Sequence, residues 1–164
     1  MLARWTGGSE VLCPLDISSL ATWVEGIPLT EWPQQSRVSA KSNYPAMVAT
    51  HREDWFDITR VVKPVFDHIL PMFPGSYRGH SMLSLLVPGQ SIEGHTDVQS
   101  PAWKLRIHVP ITTNPGVTFH QEGQAFHMAA GFAYKFNPEV EHVVKNLGST
   151  NRVHLFFDIL STET

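Results

Sequence analysis

The sequence contains few of the residues that cross-link a fold or bind a polyanion. Cys13 is the only cysteine among 164 residues, so no disulfide can form within the chain and a zinc site built from several thiolates is excluded. Charged residues make up only 16% of the chain, the formal net charge is -3, and no run of lysine and arginine occurs. Because phosphate backbones require a basic surface, we expect no nucleic-acid partner.

Long apolar stretches are also lacking. The chain turns polar at residues 6–10, and no apolar run follows that could serve as a signal peptide or a membrane span. We therefore expect no membrane association and a cytoplasmic location. Hydrophobic residues nevertheless make up 42% of the chain, which is typical of a globular protein that buries one core. This length predicts a single domain over residues 1–164.

Residues 1–75 carry patterns that are typical of helices. A short helix is predicted over 17–25, and a second segment with helical periodicity follows Asp54 or Asp57. Pro64 is expected to kink or restart the second helix, because proline cannot donate a backbone hydrogen bond. The apolar positions of that segment are Ile58, Val61, Val62, Val65, Phe66, Ile69 and Leu70. We therefore predict that residues 1–75 form a helical support.

From about Arg78 onward the chain is divided into short apolar stretches. Turn residues such as those at 88–89 and 114–116 separate them at a spacing of roughly 8–12 residues, which is typical of a sandwich or barrel. We count about eight strands over residues 76–164, the number that a jelly roll requires. The sequence therefore predicts a mostly β fold, a double-stranded β-helix (jelly roll, cupin-like) with the N-terminal helices packed outside one sheet.

A histidine and a carboxylate lie two positions apart at His95 and Asp97. Residues i and i+2 of an extended strand face the same side, so both side chains can reach one metal ion. His142 lies near the start of a later apolar stretch and can supply a third ligand from a neighbouring strand. Two histidines and one carboxylate on one side of a metal leave coordination positions open, which is typical of non-haem Fe(II) oxygenases.

Two arginines occupy strand faces that are expected to point inward. Arg106 and His108 share one face of a predicted strand whose other face is apolar. Arg152 shares a face with His154 in the last predicted strand. A buried arginine is costly unless an anion pairs with it, and the planar guanidinium binds carboxylates through two hydrogen bonds. A dicarboxylate cosubstrate would be such an anion.

Residues 84–160 resemble the catalytic core of the aspartyl/asparaginyl β-hydroxylase family of Fe(II)- and 2-oxoglutarate-dependent dioxygenases. The matching positions, in chain order, are Ser84 to Gly89, His95-Thr96-Asp97, Arg106-Ile107-His108, His142 and Arg152. Some vertebrate members have a glycine at the position of Asp97, whereas the complete set here is similar to that of bacterial amino-acid hydroxylases. Residues 1–75 resemble the family only in placing helices before the barrel.

The resemblance implies a role for each matching side chain. The implied Fe(II) ligands, which are also the catalytic residues, are His95, Asp97 and His142. The implied 2-oxoglutarate-binding residues are Ser84, Arg106, His108 and Arg152. Within the second set, Arg152 and Ser84 would bind the distal carboxylate of 2-oxoglutarate, and Arg106 and His108 would lie near its other carboxylate.

The implied activity is hydroxylation of a C–H bond that uses Fe(II), 2-oxoglutarate and O₂. Asp97 favours hydroxylation over halogenation, because it fills the coordination position that a halide would need. We expect the protein to lack the membrane anchor and the helical repeat domain with which vertebrate enzymes present protein substrates. We therefore expect a small-molecule substrate, either a free amino acid or a short peptide-like compound. Trp103 precedes the Arg106 strand and is expected to border the substrate entrance.

Less specific interpretations remain open. Arg106 could instead be a surface residue that pairs with Glu93 or Glu122. His108 could be a core histidine, and Ser84 an ordinary polar strand residue. The whole chain could be a cupin-like metal-binding jelly roll, such as a zinc-loaded isomerase or a sensor, or a purely structural module. Neither a metal-binding jelly roll without oxygenase activity nor a purely structural module accounts for two arginines that point inward.

The first prediction is that metal binding needs three side chains together. Replacing His95 or His142 by alanine should abolish Fe(II)-dependent activity, and Asp97→Ala should nearly abolish it, because each residue supplies one of the three ligands. Turnover is measured as succinate formed from 2-oxoglutarate. Full turnover in the Asp97→Ala variant would show instead that two histidines suffice.

Overall fold

The chain folds into two antiparallel sheets flanked by two helices. The computed structural model describes residues 4–32, 34–36, 43–48, 56–97 and 101–161. The helices are α1 (Ser18–Glu25) and α2 (Phe56–Ile69), with 3-10 turns at Leu29–Glu31 and Leu70–Met72. The strands are β1 (Glu10–Pro14), β2 (Gln34–Ser36), β3 (Asn43–Val48), β4 (Ser76–Leu86), β5 (Ser91–His95), β6 (Trp103–Thr112), β7 (Val117–Gln121), β8 (Gln124–Phe126), β9 (Phe132–Phe136), β10 (His142–Asn146) and β11 (Arg152–Ser161).

The strands divide into a large sheet and a small sheet. The large sheet has seven strands in the order β1-β9-β6-β11-β4-β3-β2, and the small sheet has four strands in the order β5-β10-β7-β8. The paired neighbours run antiparallel. Strands that are distant in sequence are therefore neighbours in space, as in a jelly roll. The predicted mostly β jelly-roll fold is confirmed.

The two helices cover the outer face of the large sheet, as the sequence predicts. Leu20 and Val24 of α1 and Phe66 of α2 belong to one buried cluster with side chains of the central strands. The ring of Phe66 meets that of Phe157 edge-on at 4.9 Å between centroids. The sheet members of this cluster include Leu83, Leu85, Leu105, Ile107, Val109, Val153, Leu155, Phe157 and Ile159. Burial of these apolar surfaces holds the helices on the sheet.

Helix α2 continues through Pro64 as a single helix, so the predicted restart does not occur. Pro64 and Arg60, one turn earlier, are both exposed. The carbonyl of Arg60 loses its partner within the helix and can be hydrated instead. The helix ends before Pro71, which lies in the following 3-10 turn.

Residues 1–75 supply strands as well as helices, which the sequence analysis did not predict. Strand β1 pairs with β9 at one edge of the large sheet, β3 pairs with β4, and β2 pairs with β3 at the other edge. Short strands at sheet edges pair on one side only and carry little of the alternation by which strands are recognised. The amino-terminal region is therefore built into the sheet as well as packed against it.

The inner faces of the two sheets enclose a second buried cluster. Its members from the large sheet are Met82, Leu86, Tyr134, Phe136 and Phe156. Its members from the small sheet are Ile92, Val117, Phe119 and Val144. This apolar surrounding lowers the local dielectric constant, so charged and polar groups placed within it interact strongly.

Asn146, the last residue of β10, links the small sheet to the large sheet through hydrogen bonds of its side chain. Its side-chain amide donates to the carbonyl of Leu86 in β4 at 2.8 Å and to that of Thr150 at 2.9 Å. Its side-chain oxygen accepts hydrogen bonds from Asn114 Nδ2 at 3.1 Å and from the backbone N–H of Gly148 at 3.2 Å. Asn146 is completely buried, so these hydrogen bonds are made away from water.

Asn146→Ala should destabilise the fold by about 2–4 kcal/mol, because it removes four hydrogen bonds and leaves buried partners unsatisfied. The measurement is urea unfolding followed by circular dichroism. Ser149→Ala, an exposed change three residues away, is the control and should lie within about 0.5 kcal/mol of the unchanged protein. Equal stability of the two variants would contradict a linking role for Asn146.

Candidate functional site

The three predicted metal ligands come together where β5 ends and β10 begins. His95 is the last residue of β5, His142 is the first of β10, and the two are paired across the small sheet. Their ring centroids are 4.3 Å apart. Asp97 follows β5, and its backbone N–H donates to the carbonyl of Pro138 at 2.9 Å. One ligand atom from each of the three side chains lies within 4.8 Å of the others, so one ion could contact all three.

Backbone carbonyls determine the tautomer of both histidines. Nδ1 of His95 lies 2.7 Å from the carbonyl oxygen of Glu93, and Nδ1 of His142 lies 2.9 Å from that of Val140. Because a carbonyl oxygen can only accept, each Nδ1 carries the proton. In the neutral ring this tautomer leaves the lone pair of Nε2 for a metal, and the hydrogen bond holds the ring in a fixed orientation.

His142 is neutral at physiological pH. Burial lowers its pKa to about 4, and the nearby imidazole of His95 acts in the same direction. The hydrogen bond to the carbonyl of Val140 and the charge of Asp97 oppose this shift without cancelling it. The neutral form is the one that binds metal ions, so His142 needs no deprotonation before it can act as a ligand.

Arg106 is buried and bridges two carboxylates. Its Nε and Nη2 donate to the two oxygens of Asp158 at 2.8 and 3.2 Å, and its Nη1 donates to Oδ2 of Asp97. Burial by itself lowers the pKa of the guanidinium, but the two carboxylates outweigh it and raise that pKa above its usual value. The alternative of a surface pair with Glu93 or Glu122 is not borne out, because Arg106 is only 5% exposed.

Trp103 adjoins the network of Arg106, Asp158 and Asp97. Its side chain is completely buried, and its Nε1 donates to Oδ1 of Asp158 at 3.3 Å. It does not line the cavity between the proposed metal ligands. The indole N–H finds its hydrogen-bond partner inside the protein, which favours burial of the whole ring. This placement does not support the expected role at the substrate entrance.

Arg152 and Ser84 lie side by side on the inner face of the large sheet. Both are buried, and Nη1 of Arg152 donates to Oγ of Ser84 at 3.1 Å. The guanidinium carbon lies 5.4 Å from the centroid of the Phe119 ring, which belongs to the small sheet. A guanidinium beside a hydroxyl can receive a carboxylate with charge-assisted hydrogen bonds. The structure therefore brings together the two residues that the resemblance assigns to the distal carboxylate.

His108 and His154 are buried histidines near Arg152. The ring of His108 meets those of Phe119 and Phe136 edge-on at 5.6 and 5.0 Å. Burial, followed by the charge of Arg152, lowers the pKa of both histidines well below the usual value. Both are therefore neutral, and of the two only His108 lines the same cavity as the proposed ligands.

One cavity joins the predicted site residues. Its lining comprises Ser84, Ile92, His95, Asp97, Arg106, His108, Phe119, His142, Val144, Arg152 and Phe156. The free volume between these side chains is about 30 Å³, which is enough for one ion or water molecule.

A larger cavity of about 500 Å³ lies near Trp32 and Val153, on the helix side of the large sheet. We assign the candidate site to the smaller cavity, because it contains the one cluster of side chains, among the described residues, that could hold a metal ion.

Asp158 is the site residue whose role the sequence analysis missed. The alternation of β11 places Asp158 on the same face as Arg152 and His154, and this much can be read from the sequence. Its actual partner is Arg106, which lies directly opposite on the neighbouring strand β6. The strand order and register decide that pairing, and neither is encoded in a local pattern.

These features define a metal-binding jelly roll with two histidines, one carboxylate and two buried arginines on its inner surface. Residues 50–162 match the sequence family described as aspartyl/asparaginyl beta-hydroxylase. The match covers more than half of the chain, and the protein belongs to this family. No curated protein sequence matches the chain. Neither described helix has the length and apolar character that crossing a membrane requires.

Solved structures with a similar fold include several oxygenases. An oxidoreductase of the 2OG-Fe(II) oxygenase family from Burkholderia pseudomallei has a TM-score of 0.63 and 12% identity, over 93% of this chain and 85% of that one. A viral collagen prolyl hydroxylase from Paramecium bursaria Chlorella virus-1 has a TM-score of 0.61 and 10% identity, over 96% and 98%. A prolyl-4-hydroxylase from Pseudomonas putida has a TM-score of 0.61 and 14% identity, over 95% and 94%. At these identities the likeness concerns the fold.

The buried histidines predict that acid destabilises the apo protein. His108, His142 and His154 have folded-state pKa values below the usual 6.5, the value for His142 being about 4. Below about pH 6.5 the unfolded chain binds protons that the folded chain does not, so stability falls as pH falls, by up to about 1.4 kcal/mol per pH unit for each histidine.

Urea unfolding of the metal-free protein at intervals from pH 7.5 to 5 measures this loss. His154→Phe removes one of the three titrating groups, so its stability should fall less steeply with decreasing pH than that of the unchanged protein. Identical slopes for the two proteins would mean that His154 binds protons equally in the folded and unfolded states, which would contradict its lowered pKa.

Proposed function

We propose that this protein is an Fe(II)- and 2-oxoglutarate-dependent dioxygenase whose single catalytic domain spans residues 1–164. In this proposal it hydroxylates a C–H bond of an amino acid or a peptide-like substrate. The observation that carries the proposal is that His95, Asp97 and His142 share one cavity with the buried pair of Arg152 and Ser84. Membership of the aspartyl/asparaginyl beta-hydroxylase family supports it.

The donor set suits Fe(II). Two imidazoles and one carboxylate, gathered on one side of a small cavity, leave the other side for a cosubstrate and oxygen. Zn²⁺ would compete for the same ligands, because it ranks above Fe²⁺ in affinity for such sites. With iron and its cosubstrates bound, the site would convert 2-oxoglutarate and O₂ to succinate and CO₂ while a hydroxyl group is added to the substrate.

Arg152 and Ser84 are the residues that we propose for the distal carboxylate of 2-oxoglutarate. The guanidinium is 1% exposed, so a carboxylate that reaches it forms charge-assisted hydrogen bonds in a medium of low dielectric constant. His108 faces the same cavity and is proposed to lie near the other carboxylate of 2-oxoglutarate. The contacts of Arg106 with Asp158 and Asp97 favour a different role for this residue.

The substrate is proposed to be a free amino acid or a short peptide-like molecule. Family membership supports substrates that resemble aspartate or asparagine. Two of the solved structures with a similar fold are named as prolyl hydroxylases, which makes proline-like compounds the second group to examine. A panel of amino acids and short peptides, scored by substrate-dependent succinate formation, distinguishes these classes.

The cofactor assignment is tested first by absorption. Addition of Fe(II) and 2-oxoglutarate to the protein without oxygen should produce the weak visible charge-transfer band of a chelated complex, and His95→Ala should not produce it. Metal binding without any response to 2-oxoglutarate would favour the alternative of a metal-binding jelly roll without oxygenase activity. Activity that needs zinc and no iron would contradict the proposal directly.

The second test concerns Arg152. Arg152→Ala should raise the 2-oxoglutarate concentration needed for half-maximal band intensity by at least about a hundredfold, because one side of a buried charge pair contributes about 3–5 kcal/mol. The melting temperature of the apo protein should stay within a few degrees. Arg60→Ala, at an exposed position of α2, is the matched control. A large fall in melting temperature with unchanged 2-oxoglutarate dependence would identify Arg152 as a structural residue.

A further inference from the structure

The guanidinium of Arg106 joins a proposed metal ligand to a second carboxylate that is not a ligand. One edge of the guanidinium, Nε and Nη2, donates to both oxygens of Asp158. The remaining nitrogen, Nη1, donates to Asp97. The guanidinium carbon lies 4.7 Å from the centroid of the Phe156 ring. Two carboxylates and one aromatic ring therefore hold Arg106 in a single orientation.

The two side-chain oxygens of Asp97 have different neighbours. Oδ2 accepts the hydrogen bond from Arg106, whereas Oδ1 lies 3.9 Å from Nε2 of His95, within the ligand cluster. A carboxylate held in this way offers one oxygen to a metal and keeps the other in a hydrogen bond. Hydrogen-bonded partners of this kind orient metal ligands and adjust their affinity.

The position of Asp158 is determined by the sheet. It lies directly opposite Arg106 in the register of β11 and β6, and the indole of Trp103 donates to its Oδ1 at 3.3 Å. On its other side Phe157 pairs with Ser81 and Ile159 with Arg78, so two residues of β4 face Asp158 alone. The extra residue of this bulge lies in β4, and Asp158 keeps its place opposite Arg106. The register of β11 with β6 therefore places Asp158 beside Arg106.

We propose that Asp158 and Arg106 form a positioning pair that presents Asp97 to the metal through a single oxygen. This inference rests on the metal centre of the proposed function and assigns to Arg106 a role other than binding 2-oxoglutarate. Asp158 prevents Arg106 from turning toward another anion, and Arg106 in turn prevents Asp97 from chelating the metal with both oxygens. The guanidinium of Arg106 contacts both carboxylates, so neither of them is buried without a partner of opposite charge.

Binding of Co(II) without 2-oxoglutarate and without oxygen tests this inference. Asp158→Asn should weaken Co(II) binding about tenfold or more, as the loss of an outer hydrogen-bond partner usually does. It should also change the visible Co(II) absorption, which reports the number and geometry of the ligands. A purely structural role of Asp158 would alter the melting temperature without altering that spectrum.

Arg106→Lys separates positioning from simple charge. Lysine keeps the positive charge but lacks the planar fork that bridges two carboxylates, so it should reproduce both the weaker Co(II) binding and the altered spectrum. It also serves as the second variant where Asp158→Asn folds poorly. Wild-type Co(II) affinity and spectrum in Arg106→Lys would overturn the positioning role, because charge alone would then suffice.

Ile159→Val is the matched control. Ile159 adjoins Asp158 in β11 but packs in the apolar cluster beneath the helices, so this variant should bind Co(II) like the unchanged protein. If Asp158→Asn and Arg106→Lys also bind Co(II) normally and instead need more 2-oxoglutarate, the inference fails while the proposed function stands. If the unchanged protein binds no Co(II), both are overturned.

Discussion

A charged side chain that is buried away from water needs a partner of opposite charge or a hydrogen-bonding group. This requirement determines which side chains contact one another in the interior of this protein. Strands β6 and β11 are neighbours within the large sheet, and one face of each is covered by the helices. Their other faces carry Arg106 and Arg152 into the space between the sheets, where both are almost completely buried. Arg106 donates hydrogen bonds to Asp158 and Asp97, and Arg152 donates one to Ser84. The chemistry of the site follows from these contacts.

The same apolar surrounding determines the state of the histidines. Burial keeps His142 neutral, and the buried His108 and His154 are neutral for the same reason. Backbone carbonyls next to His95 and His142 accept hydrogen bonds from Nδ1 and orient both rings. The proposed ligands are thus held in position before a metal binds. A preorganised site of this kind avoids part of the reorganisation that metal binding otherwise costs.

Family membership supports the class of reaction more strongly than the substrate. The family match extends over residues 50–162, which include the whole of the proposed site. The solved structures share the fold at no more than 14% identity, a level at which one fold serves many substrates. Selectivity in such enzymes resides in the side chains and loops that surround the metal, and these vary more than the sheets that carry them. The proposed substrate class therefore depends on direct assay of amino acids and peptides.

The sequence by itself determined the class of fold and indicated the polar side chains that line the cavity. Alternation along β6 and β11 places Arg106, His108 and Arg152 on inward faces, and the spacing of His95 and Asp97 puts two proposed ligands on one side, because these are local properties of an extended chain. The tertiary structure alone decided which of these side chains contact one another. The pairing of Arg106 with Asp158, the burial of Trp103 and the edge strands supplied by residues 1–75 all depend on strand order and register. Those contacts join segments far apart in the chain, and no local periodicity encodes them.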